Sequence, residues 1–186
     1  MELKMRISAL VLCCLFAVTS VAEIKPYDTP QKGELSGVQD FFAQVAPRVW
    51  VSGQPNAAAF TELKNMGVAT VINLRTSQEM DNRQVVPFDE AQTLAELGID
   101  YVHIPQGGPD TPYSPAALQQ VADALGSAEG NILLHCTVAW RASHMWAAYL
   151  VAHQGVSVDD AVAIGKQMNM GGYPFAEFLE REVSLR

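Results

Sequence analysis

A short apolar run, Ile132, Leu133 and Leu134, passes through His135, Cys136, Thr137, Val138, Ala139 and Trp140 to Arg141, and a helix-like stretch over 142–153 starts at once. An apolar run this short fits a buried strand, and a strand handed to a helix within a few residues belongs to a layered α/β arrangement. The same turn aims backbone N–H groups at the helix N-terminus, where an anion can be held. Cys136 lies in that turn, and both the helix dipole and Arg141 favour its thiolate over its thiol.

The rest of the chain repeats the alternation. Strands are expected over 48–52, 68–74, 99–104 and up to Leu134, the second of them β-branched as central parallel strands are. Helices are expected from an Asn56 cap to Gly67, over 89–97, over 115–125 with Pro115 in the first turn, over 142–153, over 157–168 from a Ser157/Asp160 capping box, and over 175–183. Residues 38–45 are read as a short helix stopped by Pro47. Residues 75–88 are read as a loop, and 106–114, with two glycines and two prolines, as a surface loop. The expected fold class is therefore α/β, a mainly parallel central sheet flanked by helices.

Near the amino terminus the pattern changes. Lys4 and Arg6 form a positive n-region, 7–18 an apolar h-region, and Ser20-Val21-Ala22 a small-x-small cleavage site. Residues 1–22 are thus expected to be a signal peptide, making the protein exported, periplasmic or secreted, with 23–47 as an N-terminal lead segment. The apolar run is too short for a stable membrane span. An uncleaved anchor and a lipoprotein acylated at Cys13 or Cys14 are the alternatives. Cleavage leaves Cys136 as the one cysteine of the mature chain, a free thiol with no disulfide partner. The formal charge of −8 argues against a nucleic-acid footprint. His103, His135, His144 and His153 make no metal-ligand spacing, so neither metal nor other cofactor is expected.

His135-Cys136, four residues, then Arg141-Ala142-Ser143 resembles the signature of a bacterial group of atypical cysteine-dependent phosphatases. That group is similar to dual-specificity protein phosphatases and includes the phosphatase-like domain of β-lactamase hydrolase-like proteins. Ser52-Gly53-Gln54-Pro55, Gly67 before Thr70-Val71-Ile72-Asn73-Leu74-Arg75, and Gly98 before Tyr101-Val102-His103-Ile104-Pro105 extend the resemblance, which implies a phosphatase-like domain over 48–186. It implies Cys136 as the nucleophile attacking phosphorus to give a thiophosphoryl-enzyme intermediate. It implies Arg141 as a bidentate grip on phosphoryl oxygens, and the N–H groups of Thr137, Val138, Ala139, Trp140 and Arg141 as their cradle. His135 would support the loop, and Ser143 would hydrogen-bond Cys136 and aid its departure. The general acid in such enzymes is usually a loop aspartate, and Asp110 is the only acid in 106–114. Asp110 reads equally as a turn residue before Thr111-Pro112. Arg75, at the end of its strand, either adds charge to the mouth or forms a surface ion pair. The implied partner is a phosphorylated protein or small molecule, with no nucleic acid and no stable membrane insertion.

The loop departs from the common pattern. Most tyrosine phosphatases have five residues between Cys and Arg, with a glycine near the middle; here four residues intervene, with Val138 and Ala139 at the centre. One residue fewer shortens the chain by up to about 3.5 Å, so the cradle must be tighter, and a left-handed Ala139 would cost roughly 1–2 kcal/mol. Two other readings stand beside a phosphatase: a rhodanese-like sulfurtransferase carrying a Cys136 persulfide, and an inactive module that binds an oxyanion or phosphopeptide.

Overall fold

The computed structural model describes residues 24–180. The expected signal segment, with Cys13 and Cys14, and the end of the last expected helix lie outside them. The elements in chain order are β1 (Gln31–Lys32), β2 (Phe42–Ala46), β3 (Val49–Ser52), α1 (Ala57–Asn65), β4 (Val68–Asn73), α2 (Ser77–Asp81), α3 (Glu90–Glu96), β5 (Asp100–His103), α4 (Pro115–Ser127), β6 (Asn131–His135), α5 (Trp140–His153), α6 (Val158–Lys166) and α7 (Phe175–Leu179).

The strands form one sheet in the order β1-β2-β3-β6-β4-β5. β3, β6, β4 and β5 are parallel, and β2 and β1 add an antiparallel edge. Ser52 and Asn73 both lie level with His135, and Asn73 also with His103, so four strands end together at their carboxyl ends. That edge is where parallel sheets take ligands.

Alternation along the strands divides the core. Ile132 and Leu134 face the side covered by α4, α5, α6 and α7, while Leu133 faces Phe60, Leu63 and Leu94 of α1 and α3. α5 is buried without a break from Ala142 to Leu150 because the sheet and three helices surround it. Burying a large apolar side chain such as Phe178, fully enclosed here, contributes roughly 1.5–3 kcal/mol. No helix among the described residues is long and apolar enough to cross a membrane.

Two expectations are corrected. Residues 38–45 do not form a helix: Phe42–Ala46 is a strand hydrogen-bonded on both sides. An apolar stretch this short fits either period, and two neighbouring strands decide the matter with ladder bonds no isolated turn of helix could match. Residues 75–88 are not all loop, since α2 lies there, opened by a capping box in which Thr76 and Glu79 satisfy one another's backbone N–H groups. The lead segment packs onto the fold: β1 pairs with the sheet and Ile24 is buried in the core.

Candidate active site

Cys136 to Ala139 join the end of β6 to the start of α5. The first backbone bond of α5 runs from the Ser143 N–H to the Ala139 carbonyl at 2.8 Å, so the N–H groups of Trp140, Arg141 and Ala142 precede any intrahelical acceptor. Ala139 has φ 62°, the left-handed conformation that the shortened loop demands of a residue with a Cβ. Its methyl is fully buried, which offsets part of that strain.

The Ser52-Gly53-Gln54-Pro55 motif presses against this loop. The Gln54 N–H donates to the Thr137 carbonyl at 2.9 Å, and a Cβ on Gly53 would collide with the carbonyls of Gln39 and Thr137. Both obstacles are backbone, so a side chain at 53 has no flexible neighbour to displace. Gly53→Ala is expected to destabilise the fold by about 2–3 kcal/mol, measurable by chemical denaturation.

Arg141 leaves the first turn of α5 with both ends of its fork engaged. Nη1 donates to Glu79 Oε2 and Nη2 to Glu79 Oε1, each at 2.7 Å. Nη1 also meets the Gln106 and Leu74 carbonyls at 3.0 and 3.3 Å, and Nη2 meets Thr137 Oγ1 at 3.0 Å. Thr137 Oγ1 in turn donates to Glu79 Oε1 at 2.8 Å. All four Nη–H bonds therefore have acceptors, and the Nε–H is the remaining donor of the fork. Burial alone would raise the Glu79 carboxyl, but the Arg141 hydrogen bonds and charge, the Thr76 N–H and the Thr137 hydroxyl hold it down at about 2. Burial opposes the charge on Arg141, yet Glu79 and Cys136 together raise its pKa above the ordinary value.

Behind the loop lies a buried polar cluster. His135 Nε2 lies 3.0 Å from Glu90 Oε1, and a carboxylate only accepts, so the proton sits on Nε2. Asn73 Nδ2 donates to the same oxygen at 2.8 Å and Gln54 Nε2 to Glu90 Oε2 at 2.7 Å. Burial would push the Glu90 carboxyl up, but the His135 charge and the bonds from His135, Gln54 and Asn73 bring it below the usual carboxylate range. Burial and the Glu90 charge raise the nearby Tyr101 phenol above its ordinary value. Neither Glu79 nor Glu90 is among the site residues expected from the sequence, though the sequence carries a signal for each. Thr76-Ser77-Gln78-Glu79 is a capping-box pattern, and Glu90 stands four residues before Leu94, on the inward face of α3.

A cleft of about 650 Å3 opens above Arg141, lined also by Glu79, Trp140, Tyr113 and Asp110. Arg141 is the one cation in its wall. Cys136 is not in the wall: it is 1% exposed, next to the core. Asp110 is exposed on the rim, inside a turn tied by bonds between Gly107 and Thr111 and between Thr111 and Gly108. Tyr113 also lines the cleft and feels the charges of the site. Burial raises its phenol, with Arg141 pulling it down and Tyr173, Cys136 and Glu79 pushing it up. Ser143 is buried, and its hydroxyl donates to the Trp140 carbonyl at 2.9 Å, the acceptor that a helix offers one turn back. Trp140 packs edge-on to His144 at 4.7 Å, and Asn169 Nδ2 holds the Val138 carbonyl at 2.8 Å, so the segment after α6 braces the loop from outside. Arg75, expected at the mouth or in a surface pair, is instead buried beneath it. Among the described residues no group of three or more His, Cys, Asp or Glu is disposed to hold a metal ion.

Comparisons with known proteins agree with this fold. A β-lactamase hydrolase-like protein of Xylella fastidiosa (strain Temecula1) is 31% identical over 120 residues, covering 63% of this chain and 27% of that protein. The chain thus spans about a quarter of the length of that curated relative. A solved DUF442 protein of Shewanella putrefaciens CN-32 superposes with TM-score 0.59 at 27% identity, covering 77% of this chain and 91% of that one. P. aeruginosa TpbA, in a cysteine-to-serine form bound to pTyr, superposes with TM-score 0.58 at 21% identity, covering 81% of this chain and 83% of that one; at that identity it speaks for the fold. Residues 40–152 match the family described as "Beta-lactamase hydrolase-like protein, phosphatase-like domain", and the chain belongs to that family.

Proposed function

We propose that this protein hydrolyses phosphate monoesters through Cys136. The observation that carries the reading is the meeting of Cys136, the N-terminus of α5, which has no side-chain cap, and the Arg141 fork at the carboxyl edge of the parallel sheet. The Cys136 sulfur attacks phosphorus, an S–P bond forms, and the ester P–O bond breaks with its electron pair leaving on oxygen. Asp110 gives that oxygen its proton. Water, losing a proton to the same carboxylate, then attacks phosphorus, and the S–P bond breaks to return the thiolate and inorganic phosphate. Arg141 and the loop N–H groups balance charge throughout.

Bidentate grip by Arg141 requires a second donor besides Nε–H, so the Nη2 contact to Thr137 has to open as the phosphoryl group enters. A wall with one cation suits a substrate carrying a single phosphoryl group, and Trp140 and Tyr113 suit an aryl or alkyl body, phosphotyrosine-like as in the TpbA complex. Export through residues 1–22 is part of the same proposal.

The test is turnover of a chromogenic aryl phosphate by the mature protein, beside thiocyanate production from thiosulfate and cyanide. Thiocyanate without phosphate release would favour the sulfurtransferase. The near-closure of Cys136 favours a second reading, an oxyanion-binding module; phosphate-dependent thermal stabilisation with no turnover would support it. Asp110→Asn is expected to lower kcat by about 100-fold and to remove the alkaline limb of the kcat profile. An unchanged rate would move the acid role away from Asp110.

A further inference from the structure

Arg75 and Cys136 leave the sheet from neighbouring strands, since Asn73 of β4 is level with His135 of β6. Arg75 is 1% exposed, and guanidinium groups are seldom buried without dedicated partners. Its Nη1 donates to Gln54 Oε1 at 2.8 Å, which links it to Glu90 through the other end of the Gln54 amide. Its Nε is buried with no hydrogen-bond partner and lies 3.5 Å from Glu79 Oε1. Arg141 Nη2 holds that same oxygen at 2.7 Å.

Glu79 therefore stands between two guanidinium groups, one in the cleft wall and one behind it. The charges decide what this does. Arg141 with Glu79 alone sums to zero, leaving no net positive charge for a thiolate or a phosphoryl dianion. Adding Arg75 makes this three-residue cluster net positive beside Cys136; Glu90, which also acts on Arg75, is itself paired with His135 at 3.0 Å. Burial lowers the Arg75 pKa, and Arg141 lowers it further, against the pull of Glu79, Glu90 and Cys136. The other titratable groups around the cluster are His135 at the end of β6, paired with Glu90 of α3, and Tyr113 ahead of α4.

We propose that Arg75 is a positioning residue of the phosphatase site described above, a second buried guanidinium that takes up the charge of Glu79 and so leaves the charge of Arg141 to the sulfur and the phosphoryl group. It touches neither substrate nor leaving group and acts through Glu79.

The test compares the full-length mature protein with Arg75→Gln and Arg75→Lys in two measurements that need no turnover. One is the pH at which iodoacetamide alkylates the thiol at half its limiting rate; the other is the affinity for orthovanadate. Arg75→Gln is expected to raise the alkylation midpoint by about one pH unit and to weaken vanadate binding by about tenfold. Arg75→Lys, which keeps the charge, is expected to hold the midpoint near the wild-type value. A fall in Tm with both readouts unmoved overturns the proposal. Should Arg75→Gln not fold, Glu79→Gln reads the cluster in reverse: removing the anion between two cations is expected to lower the midpoint, and an unchanged or raised midpoint overturns the proposal. If wild-type protein hydrolyses no phosphate ester but these shifts occur, the functional reading falls and the role of Arg75 stands. If it hydrolyses and Arg75→Gln matches it in both measurements, the role of Arg75 alone falls.

Discussion

Cys136→Ser is expected to lower turnover of an aryl phosphate on the order of 10^4-fold or more, while inorganic phosphate still stabilises the protein against heat. The sulfur supplies the bond that forms to phosphorus, and a serine hydroxyl beside Arg141 has no base to make it comparably nucleophilic. The anion's other contacts come from backbone N–H groups ahead of Ser143 and from Arg141, all of which the substitution leaves in place. The side chain is nearly isosteric and 1% exposed, so the loop keeps its shape. Equal turnover in the variant would remove Cys136 from the chemistry. Loss of phosphate binding together with turnover would mean that the thiol shapes the cradle rather than attacks within it.

The second large effect is on stability. Glu90→Gln is expected to cost about 3–5 kcal/mol, read from urea or guanidinium midpoints. Three donors converge on the carboxylate: His135 Nε2, Asn73 Nδ2 and Gln54 Nε2. A glutamine turns one of its acceptors into a donor, so at least one N–H is left facing another in a site without water access. The pH dependence has a definite sign. The Glu90 carboxyl is held below its ordinary range in the folded state, so its contribution is full above the unfolded carboxylate pKa of about 4.3 and is lost as pH falls through the folded value. Wild type is thus expected to lose stability steeply on acidification, and Glu90→Gln to lose less over the same window. Parallel acid slopes would show that the pair is energetically silent. Because His135 directly precedes Cys136 and is clamped by Glu90, the variant is also expected to lose turnover in proportion to the freedom His135 gains.

Much of the arrangement was legible from spacing along the chain. The Asn56 cap, Pro115 in the first turn of α4 and the Ser157 cap are local signals, and each helix begins where they stand. The run at 68–74 holds strand β4, an inner strand of the sheet, because the stiff χ1 angles of Val68, Thr70, Val71 and Ile72 suit a sheet covered on both faces. The helix expected over 38–45 is in fact largely strand β2, since so short an apolar run cannot reveal a period, and α2, with five residues, carries no stripe to mark it.

What the chain by itself determined is the succession of strands and helices and the delivery of Cys136 and Arg141 together, the sulfur at the end of β6 and the guanidinium in the first turn of α5. Both follow from short-range sterics and hydrogen bonding, in which neighbours in sequence are neighbours in space. Only the tertiary structure decided which anions those groups meet. Glu79 faces Arg141 across 62 positions and Glu90 faces His135 across 45, while Arg75 turns inward to Gln54 instead of out to water. Such pairings are set by which strands the sheet brings side by side and by the cost of burying a charge unmatched, and no local pattern records either.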